Sequence, residues 1–280
     1  MRRWRWGWMI VVVLLLSACG TGEEPAQPAS PTEQEEASLS WIFQGVRGCA
    51  VWYDPAQGVV SWCGDETLCR TQVSPCSTFK IISALLGLHH GVLTGAESTM
   101  AYTGAWYPVP EWNRDLTLSE AFSSSCVWYF RQVIDQVGPE RTARALEDLG
   151  YGNQDLSQWE GGGQNRSPEL NGFWLDSSLK ISPREQVKVL AALFEGRTSY
   201  PPEEVAVLQE LMLTQDDGIR QVYGKTGTGF GETGWFVGFA QEGETRTYFA
   251  VYLDDETREI SGQDARAVAL TLLDEAADLT

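Results

Sequence analysis

A serine and a lysine stand at a spacing that could support nucleophilic catalysis. Ser77 and Lys80 are three positions apart, where a polar stretch marked by Pro75 enters an apolar helical pattern. On a helix this spacing places two side chains on one face, with Cβ atoms about 5–6 Å apart. The lysine amine could then reach the serine hydroxyl and act as its base. The pattern predicts an activated serine at the head of a helix.

The spacing alone is a weak signal, because this chain contains it twice. Ser177 and Lys180 repeat the pattern. Pro183 follows closely, restricts Ser182 to extended geometry and ends any helix that begins at Ser177. A surface serine beside a solvated lysine is the ordinary explanation of either match in isolation. Only Ser77 leads into the pattern of a buried helix, so we expect the chemistry there.

Residues 1–19 have the layout of a secretory signal. Three arginines precede an apolar run at 9–16, which is short for a transmembrane helix. Leu16-Ser17-Ala18-Cys19 resembles a bacterial lipobox, in which cleavage leaves a lipid-bearing cysteine at the N-terminus. We therefore expect a lipoprotein outside the cytoplasm, attached to a bacterial membrane through Cys19. Ordinary secretion with a chance cysteine is the alternative.

Composition then separates a tether from a folded domain. Residues 20–39 are rich in Gly, Pro, Glu, Gln, Ser and Ala, which predicts a disordered acidic tether before a domain at 40–280. The formal net charge is −18, and loss of the three leader arginines would make it −21. Such a surface repels nucleic acid and anionic lipid headgroups. We expect no nucleic-acid partner and membrane attachment through the lipid alone.

Strand patterns at both ends of the domain flank a helical middle. Two strand-forming segments surround the turn at 54–58 and predict an N-terminal hairpin. Proline-initiated helices follow in the middle of the chain. Strand patterns at 219–223, 235–240 and 248–253 precede an amphipathic helix at 263–277. The sequence predicts an α+β fold whose antiparallel sheet forms from both termini around an inserted helical region, with the site in the cleft between the parts.

Three polar motifs occur in an order that resembles the penicillin-recognising serine enzymes. They are Ser77-x-x-Lys80, Ser125-Cys126-Val127 and Lys225-Thr226-Gly227. Class A β-lactamases would have Ser-Asp-Asn as the second motif and transpeptidases usually Ser-x-Asn, whereas the Ser-x-Val form is similar to class D β-lactamases, the oxacillinases. Three further matches follow the order of that family: Tyr151-Gly152-Asn153, Phe173-Trp174-Leu175 and Trp235-Phe236-Val237-Gly238. The resemblance covers roughly residues 41–275 and implies the serine β-lactamase/transpeptidase-like fold.

The resemblance also implies how Ser77 would be activated. Ser77 would attack a β-lactam, and Lys80, carboxylated on its amine by carbon dioxide or bicarbonate, would be the general base. Apolar neighbours would lower the pKa of Lys80 and leave the neutral amine that this modification needs. Trp174 could donate its indole N–H to the resulting anion, with Val127 and Leu175 completing the pocket.

The remaining roles are likewise carried over from the family. Ser125 would relay a proton to the lactam nitrogen, helped by the charge of Lys225. The backbone N–H groups of Ser77 and Thr228 would form the oxyanion hole.

The substrate carboxylate needs a cation and hydroxyl groups. Lys225, Thr226 and Gly227 are available on the third motif. The family usually adds an arginine on the last segment; Arg266 is our candidate here, and Arg258 is the alternative.

Two classes of protein share this resemblance. A β-lactamase hydrolyses its acyl-enzyme, whereas the sensor domain of a β-lactam receptor is acylated and does not turn over. Such sensors normally follow several transmembrane helices, and this chain has a lipobox and a tether instead. A binding lipoprotein with a decayed site is disfavoured because each catalytic residue type is present. We therefore expect the enzyme.

Five cysteines follow the lipobox, an odd number that leaves at least one thiol unpaired within the chain. In an exported protein a Cys63–Cys69 disulfide is the favoured pairing, and Cys49–Cys63 across the hairpin is the alternative. Cys76 and Cys126 stand beside catalytic motifs, either as inert core residues or as oxidisable thiols. The spacings and the two adjacent histidines indicate no zinc site.

Overall fold

The computed structural model describes residues 32–230 and 232–277, with side chains through residue 275. The predicted signal, Cys19 and most of the predicted tether lie outside the described residues. Within them, no helix combines the length and apolar character needed to cross a bilayer.

The described chain alternates short polar connections with strands and helices. The strands are β1 (Thr32–Glu35), β2 (Gly48–Asp54), β3 (Val59–Gly64), β4 (Thr99–Met100), β5 (Leu116–Thr117), β6 (Leu213–Asp216), β7 (Arg220–Thr228), β8 (Thr233–Glu242) and β9 (Thr245–Asp254). The helices are α1 (Glu66–Arg70), α2 (Lys80–His89), α3 (Leu118–Ser123), α4 (Val127–Val137), α5 (Pro139–Leu149), α6 (Pro183–Phe194), α7 (Pro202–Met212) and α8 (Gly262–Ala277). Proline occupies the first position of α5, α6 and α7, where its missing N–H costs nothing.

A seven-stranded sheet in the order β1-β3-β2-β9-β8-β7-β6 joins the two ends of the domain. Strand β2 pairs with β9, which brings the N-terminal hairpin beside the C-terminal strands. All pairs are antiparallel except that of β1 with β3. The predicted α+β fold, with a sheet from both termini and helices inserted between them, is confirmed.

Side chains alternate along the strands and form two apolar cores. One face of the sheet packs against α6, in a core that continues through α2 and α4. The other face packs against α8. The first core is the larger, and the catalytic motifs lie at its edge.

The folded part begins earlier than the sequence predicts. Thr32–Glu35 forms β1, and a 3-10 helix spans Ala37–Phe43, so a boundary near Ser40 is too late. Glu33 pairs with Arg70 at 2.9 Å and with the buried Arg184. A polar segment is ordered here because it neutralises a buried guanidinium from α6, a partner that local composition does not reveal.

Neither disulfide considered from the sequence fits the fold, in which the five described cysteines are unbonded. Cys63 lies opposite Ala50 on β2, in the core beneath α8. Cys49 and Cys69 belong to the other core. Both predicted pairings would therefore have to cross the sheet, because neighbouring residues of a strand point to opposite faces.

Candidate active site

The nucleophile lies where a 3-10 turn passes into α2. Residues Cys76–Phe79 form the turn, and Lys80 Nζ is 2.7 Å from Ser77 Oγ. Lys80 is fully buried, and this burial, followed by the charge of Lys225, lowers its pKa well below the ordinary value. A pKa lowered in this way favours the neutral amine, which can accept the serine proton.

Aromatic rings enclose Lys80. Phe130 lies 5.9 Å from its ammonium position, and Phe79 stacks on Trp174 with ring centroids 5.7 Å apart. Trp174 is fully buried, and its Nε1 has no hydrogen-bond partner within the described part of the chain. A buried N–H without an acceptor is costly. The donor fits an additional anionic acceptor near Lys80, as carboxylation of the amine would supply.

The second and third motifs meet on the opposite wall. Ser125 occupies the turn between α3 and α4, and Lys225 lies in the middle of β7. Lys225 Nζ donates to Ser125 Oγ at 3.1 Å and to the Thr226 carbonyl at 3.2 Å. Burial lowers the pKa of Lys225 to about 8. The pair can therefore exchange a proton near neutral pH.

Three residues beside the nucleophile and its cavity have a left-handed backbone although they are not glycine. Their φ angles are +48° at Cys76, +56° at Ser125 and +44° at Asp176. Such conformations cost of order 1–3 kcal/mol each and persist where surrounding contacts impose them. Their grouping indicates that the fold holds this region in a fixed shape.

Ser74 supplies many of these contacts, and motif analysis did not single it out. Its Oγ donates to the Trp174 carbonyl at 2.9 Å and accepts from the Asp176 N–H at 2.8 Å. Its own carbonyl accepts from Trp235 Nε1 at 2.9 Å. Ser74 thus ties the tryptophan loop and β8 to the segment that carries Ser77. All three partners are at least 100 positions away in the sequence, so no local pattern could reveal this role.

A cavity of about 550 Å³ opens above Ser77. Six of the predicted site residues line it: Ser77, Ser125, Val127, Leu175, Thr226 and Thr228. Gly227 permits the close approach of β7, since a Cβ there would lie 3.2 Å from the Pro75 carbonyl oxygen. Phe230, which is exposed, and Trp112 add aromatic surface to the walls. The cavity is thus mostly apolar, with hydroxyl groups converging on its floor.

Asp176 was also missed by sequence reasoning. It lines the same cavity, and burial raises the pKa of its carboxyl above the ordinary value. The Cys76 thiol lies 3.9 Å from its Oδ1. The sequence feature that could have identified Asp176 is its position directly after Phe173-Trp174-Leu175.

The candidate arginines lie outside this cavity. Arg266 lines a neighbouring cavity of about 530 Å³ together with Lys225, Thr226 and Gln263. Arg258 forms an exposed ion pair with Asp255 at 3.8 Å. Arg266 therefore lies near the Lys-Thr-Gly strand, in a different cavity from that of Ser77.

The cysteines beside the motifs are protected. Cys76 and Cys126 are buried, and burial raises the pKa of each thiol to about 12. Because the thiolate is the reactive form, both behave as small core residues.

This geometry agrees with the comparisons with known proteins. The sequence matches the penicillin-binding protein transpeptidase domain over residues 48–274. It is 30% identical over 241 residues to the β-lactamase OXA-1 of Escherichia coli, a match that covers 82% of this chain and 80% of that one. The chain belongs to the class D β-lactamase family. A crystal structure of a class D β-lactamase from Bacillus subtilis superposes with a TM-score of 0.77 at 28% identity, covering 88% of this chain and 98% of the other.

The class D family also has relatives that are regulators. This chain is 34% identical over 208 residues to the regulatory protein BlaR1 of Bacillus licheniformis, covering 73% of this chain. It spans only 33% of that longer protein. Membership in the class D family therefore accounts for the penicillin-binding fold but does not by itself show that the acyl-enzyme turns over.

Proposed function

We propose that this protein is a β-lactamase that opens the amide of β-lactam antibiotics through a Ser77 acyl-enzyme, with N-carboxylated Lys80 as general base. The observation that carries the proposal is the 2.7 Å contact between Ser77 Oγ and the buried Lys80 Nζ. A lowered pKa favours the neutral amine of Lys80, which at this distance can accept the serine proton.

The chain's own residues account for the proton transfers of acylation. The Ser77 oxygen bonds to the lactam carbonyl carbon and loses its proton to the base at position 80. The carbon–nitrogen bond breaks, and the nitrogen takes a proton from the Ser125 hydroxyl, which Lys225 replenishes across 3.1 Å. The Ser77 and Thr228 backbone N–H groups would stabilise the carbonyl oxygen. Addition of one water then releases the product and restores Ser77.

The surroundings of Lys80 suit carboxylation. Carbon dioxide, bound to the neutral amine as a carbamate, would supply a general base for both acylation and deacylation. Trp174 would hold its anionic oxygen through the unpartnered indole N–H. Val127 and Leu175, on the cavity wall, would limit the access of water to this base.

A receptor-type domain is the second candidate function, because the regulatory protein BlaR1 is a relative of comparable identity. Such a domain would use the same Ser77, Lys80 and Ser125 for acylation. It would differ in deacylation, which needs a base that remains competent after the acyl group has formed.

Turnover separates the two functions. Purified mature protein is mixed with a chromogenic cephalosporin in bicarbonate buffer, and product is counted per protein molecule. We expect many turnovers per molecule. A single stoichiometric burst with stable acyl-enzyme by mass spectrometry would contradict hydrolysis and support the receptor. Ser77→Ala is the control for both outcomes, since it should show neither burst nor turnover.

We also propose that the protein is anchored outside the cytoplasm by a lipid on Cys19. The lipobox and the acidic mature chain support this. Detergent-phase partitioning of the expressed protein should be lost in Cys19→Ala, while activity in the extract is retained. Partitioning that survives the substitution would contradict the anchor.

A further inference from the structure

We propose that Cys49 and Cys69 form a disulfide in the exported protein and join strand β2 to helix α1. It is a different pairing from either of the two predicted from the sequence. It lies away from the catalytic cavity and rests on the export proposed above, because disulfides persist in oxidising compartments.

The strand register places Cys49 on the face that α1 covers. Cys49 lies opposite Gly64, the last residue of β3, while Ala50 lies opposite Cys63. Cys49 and Cys69 share one apolar core, and Cys63 lies in the other. Of these three cysteines, only Cys49 and Cys69 can therefore meet without crossing the sheet.

The path of the chain between β3 and α1 brings the two residues together. The Asp65 N–H donates to the Gly48 carbonyl at 2.9 Å, immediately beside Cys49. Asp65 then caps α1, since its carboxylate accepts from the Thr67 N–H at 2.9 Å. The Cys69 N–H donates to the Asp65 carbonyl at 3.1 Å. Cys69 is thus one helical turn from a residue that is bonded to the start of β2.

The side chains complete the contact. Both thiols are fully buried. Burial, and after it the neighbouring Cys69 thiol, raises the pKa of Cys49 well above its ordinary value.

The reaction balances as a thiol–disulfide exchange. Cys49 and Cys69 each lose a proton, their sulfur atoms bond, and two electrons reduce the disulfide of an oxidant of the thiol–disulfide oxidoreductase or low-molecular-weight disulfide class. The folded core buries both thiols away from any oxidant, so the exchange occurs during folding, before α1 closes on β2.

Peptide mapping tests the pairing directly. The full chain is exported in a bacterial host, alkylated without reduction and digested. Cleavage after Arg47, Trp52, Trp62, Glu66 and Arg70 places the three cysteines on separate peptides. We expect the peptide with Cys49 joined to that with Cys69, and Cys63 alkylated. Alkylation of all three cysteines, or a linkage that contains Cys63, would overturn the proposal.

Thermal unfolding with and without dithiothreitol measures the consequence. The bond closes a loop from 49 to 69, and its reduction should lower the Tm by about 5–10 °C. The Cys49→Ala/Cys69→Ala double variant should unfold at the same temperature with and without reductant, whereas Cys63→Ala should remain sensitive. Acylation of each variant by labelled penicillin confirms that it is folded. A Tm of the native protein that reductant does not change would overturn the stabilising role.

Discussion

The chain contains two Ser-x-x-Lys segments, and their surroundings have opposite consequences. In the first, a 3-10 turn and α2 place Lys80 Nζ 2.7 Å from Ser77 Oγ, in a core that excludes water. In the second, Ser177 is also buried, but its hydroxyl donates to Gln158 Oε1 at 2.9 Å. The Ser177 hydroxyl thus donates to a glutamine side chain rather than to a lysine.

The backbone explains the difference. Lys180 lies outside the helices, where its N–H donates to Asn153 Oδ1 at 2.8 Å and its carbonyl accepts from the Asn153 N–H at 2.9 Å. Helical geometry brings positions i and i+3 to one face, and this segment, which is not helical, lacks that arrangement. The spacing therefore makes a nucleophile and base only when the backbone is helical and the lysine is buried. The following predictions test this contrast.

The largest effect is expected from the two serines. Ser77→Ala should remove acylation and lower turnover by roughly 10⁴-fold or more, because it removes the hydroxyl that attacks the lactam carbonyl. Ser177→Ala should keep activity within about twofold. Labelling with a fluorescent penicillin and peptide mapping measure both. Label retained in Ser77→Ala and lost in Ser177→Ala would reverse the assignment.

The two lysines should differ almost as strongly. Lys80→Ala should lower kcat/KM by about 10²–10⁴-fold, the range of a lost general base, while Lys180→Ala should have little effect. Native activity should fall when carbon dioxide is removed from the buffer and return when bicarbonate is added. Full activity in buffer free of carbon dioxide at every pH would exclude carboxylated Lys80 as the base.

Trp174 extends the contrast, since its ring stacks on Phe79, the residue before the first lysine. Trp174→Phe keeps a large aromatic ring and removes the N–H, so the bicarbonate concentration for half-maximal activity should rise about 10–100-fold. Trp159→Phe is the matched control, because that indole already donates to Asp135 at 3.1 Å. An unchanged bicarbonate dependence in Trp174→Phe would show that the indole N–H does not hold the anion.

The pH profile of kcat/KM should be bell-shaped. Lys80 must lose its proton, so activity should rise through its pKa, which burial places well below 10.5. Lys225 acts as a cation, and activity should fall as the pH rises through its pKa of about 8. Lys225→Arg should move the falling limb to higher pH because a guanidinium stays charged. Lys180→Ala should leave both limbs in place. A falling limb that does not move in Lys225→Arg would assign it to another group.

The smallest effect concerns the substrate carboxylate. Arg266 lines the neighbouring cavity beside the Lys-Thr-Gly strand, so Arg266→Ala should raise KM by about 2–5-fold with little change in kcat. Arg258→Ala should change neither constant, since its side chain pairs with Asp255 at the surface. Steady-state kinetics with a penicillin measure both; equal effects of the two substitutions would refute the distinction.

The sequence was most informative where chemistry and local conformation coincide. Ser77, Ser125 and Lys225 could be selected because their motifs combine reactive groups with recognisable elements. Ser74 could not be selected, since it acts only through residues far along the chain. The polar composition around Glu33 predicts a tether, because the ion pair with the buried Arg184 depends on a residue far along the chain.

By itself, the sequence determined the order of the motifs, the α+β class and the choice of the first serine over the second. These follow from periodicity, proline positions and residue chemistry, all of which act over a few neighbours. Only the tertiary structure decided which groups meet: Lys225 with Ser125, Ser74 with Trp174, and Arg266 with a cavity other than that of Ser77. Such contacts depend on strand register and on which face of the sheet each helix covers, because a shift of one residue sends a side chain to the opposite core.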